Sequence, residues 1–324
     1  MISKRPPKTL QQAIVYFSDP DMALATMIRL RWPDGVIKCP TCGNQKVAFI
    51  RSRMVWECSE KHAKRQFSVK IGTIMEDSPI KLDKWLTAMW LIANAKNGIS
   101  SYELARSIGI TQKSAWFMLH RIRLAMQAKN GGRLGGYVEV DETYIGGKAR
   151  NMIGAKKRAI GMKRGGRFAG KVAVMGILQR NDGDSPSKVH TTVVPNVRKH
   201  HLLGEIEKHV PDGTKVYSDA LMSYRDLGLY YDHEVVDHAE AYVRGNVHTN
   251  GMENYWSLLK RGLSGTYVSV EPFHLFRYLD EQAFRFNERK TNDSERFGMV
   301  IGKIVGRRLM YKDLIGFGNA PNGN

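Results

Sequence analysis

The sequence predicts a multidomain α+β protein in which a small cysteine-containing module and a helical region precede a mixed α/β domain. The chain has 324 residues, which is enough for two or three domains. Its three cysteines, Cys39, Cys42 and Cys58, all lie in one short segment. Helical periodicity follows over 80–128, and short apolar strands alternate with helices over 137–295. These changes of pattern predict separate domains.

The charge balance indicates a polyanionic partner. The chain has 50 Lys and Arg against 31 Asp and Glu, a formal net charge of +19. Nucleic acid is the commonest partner of so basic a chain, and an anionic membrane is the alternative. The longest apolar run, near Trp85–Ala95, is too short to span a bilayer, and the first ten residues lack the apolar core of a secretory signal. We therefore expect a cytoplasmic protein without a membrane partner.

A zinc ribbon is predicted over 36–75, after an N-terminal helical segment at 1–35. The sequence CPTCG places Cys39 and Cys42 at the spacing of a zinc knuckle, followed by a glycine that eases the turn. Cys58 and His62 complete a Cys3His set, and all four positions are filled, so the Zn²⁺ is expected to be structural. The alternative is that three thiols are simply buried in a small core.

A helix-turn-helix is predicted within 80–128. Ser100 and Glu103 suit a capping box, and Thr111 suits the N-cap of a second helix after the turn at Ile108–Thr111. Some residues of the second helix, Leu119 and Trp116 above all, suit the core. The candidates for DNA contact on this helix are Lys113, Arg121 and Arg123, together with Gln112 and His120. The alternative is an ordinary helical hairpin. A glycine-rich linker follows at 129–136.

The domain at 137–295 is predicted to contain three strands, then a helix, a strand, a helix, a strand and two helices, with a tail at 296–324. Asp141 ends the first predicted strand and Asp219 ends the fourth, so both carboxylates meet at one sheet edge if these strands are neighbours. Glu253 lies on a following helix, with Asn250 one turn earlier on the same side. Three converging carboxylates would repel one another unless they held divalent cations, which could support phosphodiester displacement. Glu142 would point to the other face and is expected to be structural.

Two basic segments are expected to contact DNA phosphates. The segment Lys148–Lys171 contains nine Lys or Arg and no acidic residue, and its alternative interpretation is a solvated insertion. Arg244 and His248 precede the helix of Glu253, where His248 could instead cap the helix. The candidates in the long basic segment are Lys156, Lys157, Arg158, Lys163 and Arg164.

Four stretches of the chain resemble the transposases of IS1595-type insertion sequences, the ISXO2-like group of the DDE superfamily. They are VEVDETYIGGK, YSDALMSY, HTNGMENYWSLLKRG and the ribbon. The resemblance extends roughly from Asp19 to Arg289. It implies a ribonuclease H-like catalytic domain that uses Mg²⁺ (or Mn²⁺) to nick DNA at element ends and to join the freed 3′-hydroxyl to target DNA. The implied partner is double-stranded DNA, both the terminal inverted repeats and the target. The implied location is the bacterial cytoplasm, associated with the nucleoid.

The resemblance also implies roles for particular residues. Asp141 and Asp219 match the first two acidic positions. Glu253 fits the third, because Lys260 follows seven residues later, as in the Glu-x6-Lys pattern of many DDE enzymes whose basic residue contacts DNA; Arg261 is beside it. In parts of the family the third position is Asn, which would select Asn250. Because two element ends must be cut, we expect a homo-oligomer when the protein is active.

Two other functions stay open from the sequence. A non-catalytic DNA-binding regulator would keep the ribbon and the helix-turn-helix on a degenerate domain, and changing Asp141 would then have no effect. A structure-specific nuclease of the same fold would cleave DNA without recognising ends and without joining.

Overall fold

A computed structural model describes residues 6–128, 132–147, 170–183, 185–236 and 248–316. The chain forms two compact units. The first contains Met1–Met126 together with Thr291–Asn324, and the second contains Gln127–Lys290. No helix among the described residues is both long enough and apolar enough to cross a membrane.

The first unit begins with two capped helices, α1 (Leu10–Ser18) and α2 (Pro20–Arg31). The ribbon follows as an antiparallel sheet in the order β1-β2-β3, which comprises β1 (Val47–Ile50), β2 (Val55–Cys58) and β3 (Gln66–Phe67). Trp56 pairs with Phe67 across β2 and β3, and both side chains are buried. Val47 pairs with Cys58, so the sheet fixes one cysteine beside the first strand.

Three further helices complete the N-terminal part of this unit: α3 (Leu82–Asn94), α4 (Ser101–Ile108) and α5 (Gln112–Met126). Gly109 ends α4 with a φ of 63°, a left-handed conformation that favours glycine. Ser100 accepts a hydrogen bond from the Glu103 N–H (3.1 Å), and Thr111 accepts one from the Ser114 N–H (3.2 Å). The predicted turn is therefore present between α4 and α5, and Ser100 and Thr111 cap the starts of these two helices.

The buried face of α5 differs from the predicted one. Arg121, Arg123 and His120 are buried, whereas the sequence pattern predicted that they would face DNA. The Arg121 guanidinium stacks on Phe117 and donates hydrogen bonds to the main-chain oxygens of Glu76 (2.8 Å) and Leu309 (3.2 Å). The prediction for Arg121 and Arg123 is corrected, because these side chains pack inward within the first unit.

The second unit is built on a five-stranded sheet in the order β6-β5-β4-β7-β8. The β6/β5 and β5/β4 pairs are antiparallel, and the β4/β7 and β7/β8 pairs are parallel, so the sheet contains both strand directions. The bounds are β4 (Tyr137–Ile145), β5 (Val172–Gln179), β6 (Lys188–Val194), β7 (Lys215–Asp219) and β8 (Asp232–Val236).

Each face of this sheet packs against helices. On one face, Val138, Val140 and Val194 form a core with α6 (Lys199–His209) and the 3₁₀ helix Met222–Leu229. On the other face, Val174, Leu178 and Val189 pack against α7 (Asn250–Gly262) and α8 (Leu275–Asn287). The period-2 alternation of β4 thus assigns each of its side chains to one of two helical layers.

The C-terminal segment belongs to the first unit and is not a separate tail from residue 296. It contains α9 (Asp293–Ile301) and α10 (Tyr311–Leu314). Phe297 of α9 packs on Phe17 and Trp90, with ring centroids 5.5 and 5.1 Å apart. This apolar side chain and the buried Val300 and Ile301 tie the segment to the N-terminal helices.

Candidate functional site: a zinc centre and an acidic sheet edge

The four predicted zinc ligands converge. Cys39 Sγ and Cys42 Sγ each lie 3.5 Å from His62 Nε2, and Cys42 Sγ lies 3.6 Å from Cys58 Sγ. Zn–S bonds near 2.3 Å and Zn–N bonds near 2.0 Å in a tetrahedron would separate such atoms by about 3.5–3.8 Å. The spacing of these donor atoms therefore fits one tetrahedral Zn²⁺.

The surroundings of the cluster also suit a metal. Gly43 has a φ of 76°, and its N–H donates to the Cys39 carbonyl, which closes the knuckle turn. Burial raises the pKa of the Cys39 thiol, but hydrogen bonds from the main-chain N–H groups of Cys42 and Thr41 outweigh it and lower that pKa to about 6. His62 Nδ1 lies 2.7 Å from the Ala63 carbonyl, a contact that leaves Nε2 available as a ligand.

Asp141 lies in the middle of β4 and not at its end, which corrects the predicted position. The strand continues to Ile145 because β4 stays paired with β5 as far as that residue, whereas its parallel pairing with β7 extends only to Glu139. Beside Asp141 the sheet therefore opens on its β7 side. Trp256 Nε1 of α7 donates to Asp141 Oδ2 (2.9 Å), and the Glu142 N–H donates to Oδ1 (2.8 Å).

Asp219 is the last residue of β7, as predicted. Glu139 of β4 pairs with Tyr217 of β7, and Asp141 and Asp219 each lie two residues further along their parallel strands. The two carboxylates are therefore neighbours at this opening. Asp219 Oδ1 also accepts a hydrogen bond from the Leu221 N–H (3.1 Å), which holds the turn that follows β7.

The electrostatics of Asp141 reflect this crowding. Burial is the main cause that raises its pKa, to about 6, and repulsion from Asp219 and Glu253 adds to the rise. The hydrogen bond from Trp256 opposes it. A cation bound beside Asp141 would offset this repulsion and stabilise its ionised carboxylate.

Glu253 and Asn250 are both exposed in the first turn of α7. Within the described ranges, two groups of side chains bring their potential ligand atoms to within 4.8 Å of one another. One is the ribbon cluster and the other is His190, Glu205 and His209; the carboxylates of Asp141, Asp219 and Glu253 are not such a set. Sites that hold two metals about 3.5–4 Å apart distribute their ligands over a wider span than one ion requires.

Glu139 was missed by the sequence analysis, yet it anchors the helix that carries Glu253. Its side chain is 1% exposed and lies on the same face as Asp141, two residues away. Arg180 Nε donates to its Oε1 (2.7 Å), and the Met252 N–H of α7 donates to its Oε2 (2.8 Å). A Cβ on Gly251 would lie only 2.8 Å from Oε2, so a glycine lets the helix approach this closely.

His248 belongs to the same network. Its Nδ1 lies 3.0 Å from Arg180 Nη2 and 3.6 Å from Glu139 Oε1, and its main-chain oxygen accepts a hydrogen bond from Arg180. In this structure His248 therefore contacts the groups that anchor α7. The alternation in VEVDE was the available signal for Glu139, since it places residues 139 and 141 on one face.

Gly176 is a second residue that sequence reasoning missed. It lies directly opposite Asp141 in the β4/β5 register. A Cβ at this position would lie 2.1 Å from Met252 Cε and 2.7 Å from Trp256 Cζ2. The missing side chain thus makes room for the Trp256 indole that donates to Asp141.

Glu142 lies on the opposite face, as predicted. It accepts a hydrogen bond from the Tyr224 hydroxyl (2.9 Å). Burial and then repulsion from Asp219 raise its pKa to about 7. Its contacts place it between the sheet and the 3₁₀ helix, apart from the α7 face.

The candidates for DNA contact divide into three groups. Lys260 and Arg261 are exposed in the last turn of α7, and Lys113 is exposed at the start of α5, with its Nζ over the ring of Tyr311. Arg121 and Arg123 are buried. The remaining candidates lie outside the described residues: Lys156, Lys157, Arg158, Lys163, Arg164 and Arg244.

Comparison with known proteins gives two matches to family models and one relative. The model "Transposase zinc-ribbon domain" matches residues 18–62, and the model "ISXO2-like transposase domain" matches residues 133–287. An uncharacterized protein in transposable element ISH50 of Halobacterium salinarum is 28% identical over 252 residues, which cover 74% of this chain and 81% of the relative. The matched ranges include the four ribbon ligands and all three candidate acidic residues.

Proposed function

We propose that this chain is a DNA transposase of the ISXO2-like group of IS1595-type insertion sequences, which binds element ends and catalyses metal-dependent strand cleavage and strand transfer. The observation that carries the proposal is the placement of Asp141 and Asp219 on neighbouring parallel strands, under the helix of Glu253. We propose that transposition takes place in the cytoplasm, at the nucleoid.

The proposed fold of the second unit is ribonuclease H-like. Three antiparallel strands followed by two parallel ones, with helices on both faces, support it. In the first unit, α4, the turn at Gly109 and α5 are proposed to be a helix-turn-helix. Lys113 is its exposed cation at the start of the second helix, where recognition helices contact base edges.

In the proposed mechanism Asp141, Asp219 and Glu253 hold Mg²⁺ (or Mn²⁺). When bound, the metal supplies Lewis-acid stabilisation of phosphate oxygens and activation of a water or a 3′-hydroxyl. Trp256 orients the Asp141 carboxylate through its N–H, and Glu139 with Arg180 holds the α7 end that presents Glu253. Lys260 and Arg261 bind DNA phosphates two turns along the helix.

The third ligand is proposed to be Glu253, with Asn250 as the alternative. A carboxylate is the stronger ligand for Mg²⁺ because it is charged, whereas an amide offers one neutral oxygen. Glu253→Gln and Asn250→Ala separate the two roles. If Glu253 is the ligand, only its variant raises the Mg²⁺ concentration needed for half-maximal nicking; the opposite result selects Asn250.

The test uses full-length protein and DNA that carries the flanks of its own gene. Wild type is expected to nick a defined flank position with Mg²⁺ and to join the 3′ end to a second DNA, while Asp141→Asn only binds. Binding of the flanks without cutting by either protein would support the regulator. Cutting without end preference and without joining would support the nuclease.

A further inference from the structure

A second group of ligand-type side chains lies on the sheet face opposite Asp141. His190, Glu205 and His209 bring one potential ligand atom each to within 4.8 Å of the others. All three are half-buried. They belong neither to the ribbon nor to the acidic edge, and the proposed transposition chemistry uses none of them.

The sequence builds this group from two neighbouring elements. His190 and Val194 lie on the same face of β6, and Val194 packs in the core together with Leu202 and Ile206 of α6. Glu205 and His209 are four residues apart on α6, so they share one face of the helix. The packing of α6 on β6 therefore determines the meeting of the three side chains.

The hydrogen bonds leave nitrogen lone pairs available. His209 Nδ1 lies 2.9 Å from the Glu205 main-chain oxygen, and donation to that carbonyl would leave Nε2 unprotonated. The His190 ring stacks on His209 with centroids 3.8 Å apart. The His190 main chain pairs with Ile177 of β5, but within the described residues its ring makes no hydrogen bond, so a ring nitrogen can act as a ligand. A hydrogen bond from one ring nitrogen to a main-chain carbonyl is the usual support of a metal-binding histidine.

From this group we infer a second transition-metal site: His190, Glu205 and His209 bind Zn²⁺ and fasten the C-terminal end of α6 to β6. Two imidazoles and one carboxylate suit Zn²⁺, Co²⁺ or Ni²⁺, whereas Mg²⁺ and Ca²⁺ prefer oxygen ligands alone. The site is therefore chemically distinct from the acidic edge. Three protein ligands leave a fourth position for water.

The position of this site gives it a structural consequence. The His209 main-chain oxygen accepts a hydrogen bond from the Leu134 N–H (2.7 Å). The Glu207 main-chain oxygen accepts one from Arg133 Nη2 (3.0 Å). Arg133 and Leu134 precede β4, the strand that carries Asp141. A metal at this site would therefore stabilise the end of α6, which accepts hydrogen bonds from the two residues that lead into β4.

The test titrates untagged, full-length, metal-stripped protein with Zn²⁺ and, in a separate sample, with Co²⁺. With excess Mg²⁺ present to occupy the acidic edge, wild type is expected to bind two equivalents of Zn²⁺. The first Co²⁺ equivalent should show the thiolate charge-transfer absorption of the ribbon, and the second should show d–d bands without it. His190→Ala is expected to bind one equivalent and to keep the thiolate band.

Two variants control for folding. His200→Ala changes an exposed histidine on the same helix and is expected to keep both equivalents. Glu205→Gln is the conservative change and is expected to weaken the second equivalent at least tenfold while the metal-free protein keeps the wild-type circular dichroism. One equivalent in wild type, or two in both His190→Ala and Glu205→Gln, would overturn the proposal.

Discussion

The ribbon and the acidic edge are both candidate metal centres, but they are built in different ways. The ribbon takes four ligands from 24 consecutive residues, Cys39–His62, and three of the distances between their donor atoms are 3.5–3.6 Å. The acidic edge takes its carboxylates from two strands and a helix across more than one hundred residues, and they are not drawn as close. A structural site is preformed by local turns, whereas the acidic edge depends on tertiary packing and on the cation.

The largest effect is expected from a variant that disrupts the acidic edge and leaves the ribbon intact. Asp141→Asn should lower strand transfer by roughly 10³-fold or more, since metal stabilisation of the reacting charge is worth several kcal/mol. Binding of element ends, measured by gel shift, should stay within about threefold of wild type. The matched control is Glu142→Gln, the adjacent carboxylate on the other face, which should retain transfer. Equal loss in both variants would contradict the assignment.

The converse change breaks the ribbon alone. Cys58→Ser should abolish the zinc equivalent that carries thiolate absorption, because structural zinc contributes roughly 10 kcal/mol to the folding of such modules. The environment of Trp56 should change in near-ultraviolet circular dichroism, since this indole is buried on the same face of β2 as Cys58, two residues away. Ser52→Ala, an exposed residue of the same module, is the control. Unchanged zinc content in Cys58→Ser would refute the Cys3His site.

Glu139 is a buried carboxylate on the same face as Asp141, but it is paired with Arg180 and is expected to act in stability and not as a metal ligand. Glu139→Gln should destabilise the second unit by about 3 kcal/mol, the usual result of breaking a buried ion pair, here with Arg180. Thermal unfolding checks this. Glu234→Gln removes an ion pair with Lys215 at the surface, and that change should lower the melting temperature far less. Equal effects would show that Glu139 does not anchor α7.

The smallest effect is a pH dependence of stability in the metal-free protein. The pKa of Asp141 is raised to about 6 in the folded state, so between pH 4 and pH 6 the folded state binds more protons than the unfolded one. Its contribution to the free energy of unfolding therefore falls as pH rises through that range. Asp141→Asn should raise the melting temperature at pH 7 by a few degrees, and saturating Mg²⁺ should raise it for wild type only. A lower melting temperature in Asp141→Asn at pH 7 would contradict this cause.

Much of the ribbon could be predicted from the sequence because its ligands are close along the chain. Short spacing limits the ways in which Cys39, Cys42, Cys58 and His62 can be arranged. The strand carrying Asp141 and the end of β7 at Asp219 were found from apolar runs. The position of Asp141 within its strand could not be predicted, because the pairing of β4 with β5 continues past the point where its pairing with β7 ends.

Sequence patterns could not predict which charged side chains would be buried. Arg121 and Arg123 look like surface residues of a basic helix, but Arg121 contacts the carbonyl of Leu309, 188 positions away. Glu139 likewise meets Arg180 and Met252 only in the folded unit. A helical or strand period gives the face on which a side chain lies. It does not give what covers that face.

Iron-dependent cleavage of the chain itself tests most directly whether the acidic edge is one metal centre. Fe²⁺ replaces Mg²⁺ in the full-length protein, and ascorbate with peroxide generates hydroxyl radicals that cut the backbone near the metal. We predict cuts near Asp141, Asp219 and Glu253 together, and their joint loss in Asp141→Asn. Cuts that are absent at these three segments, or that persist in Asp141→Asn, would contradict the account.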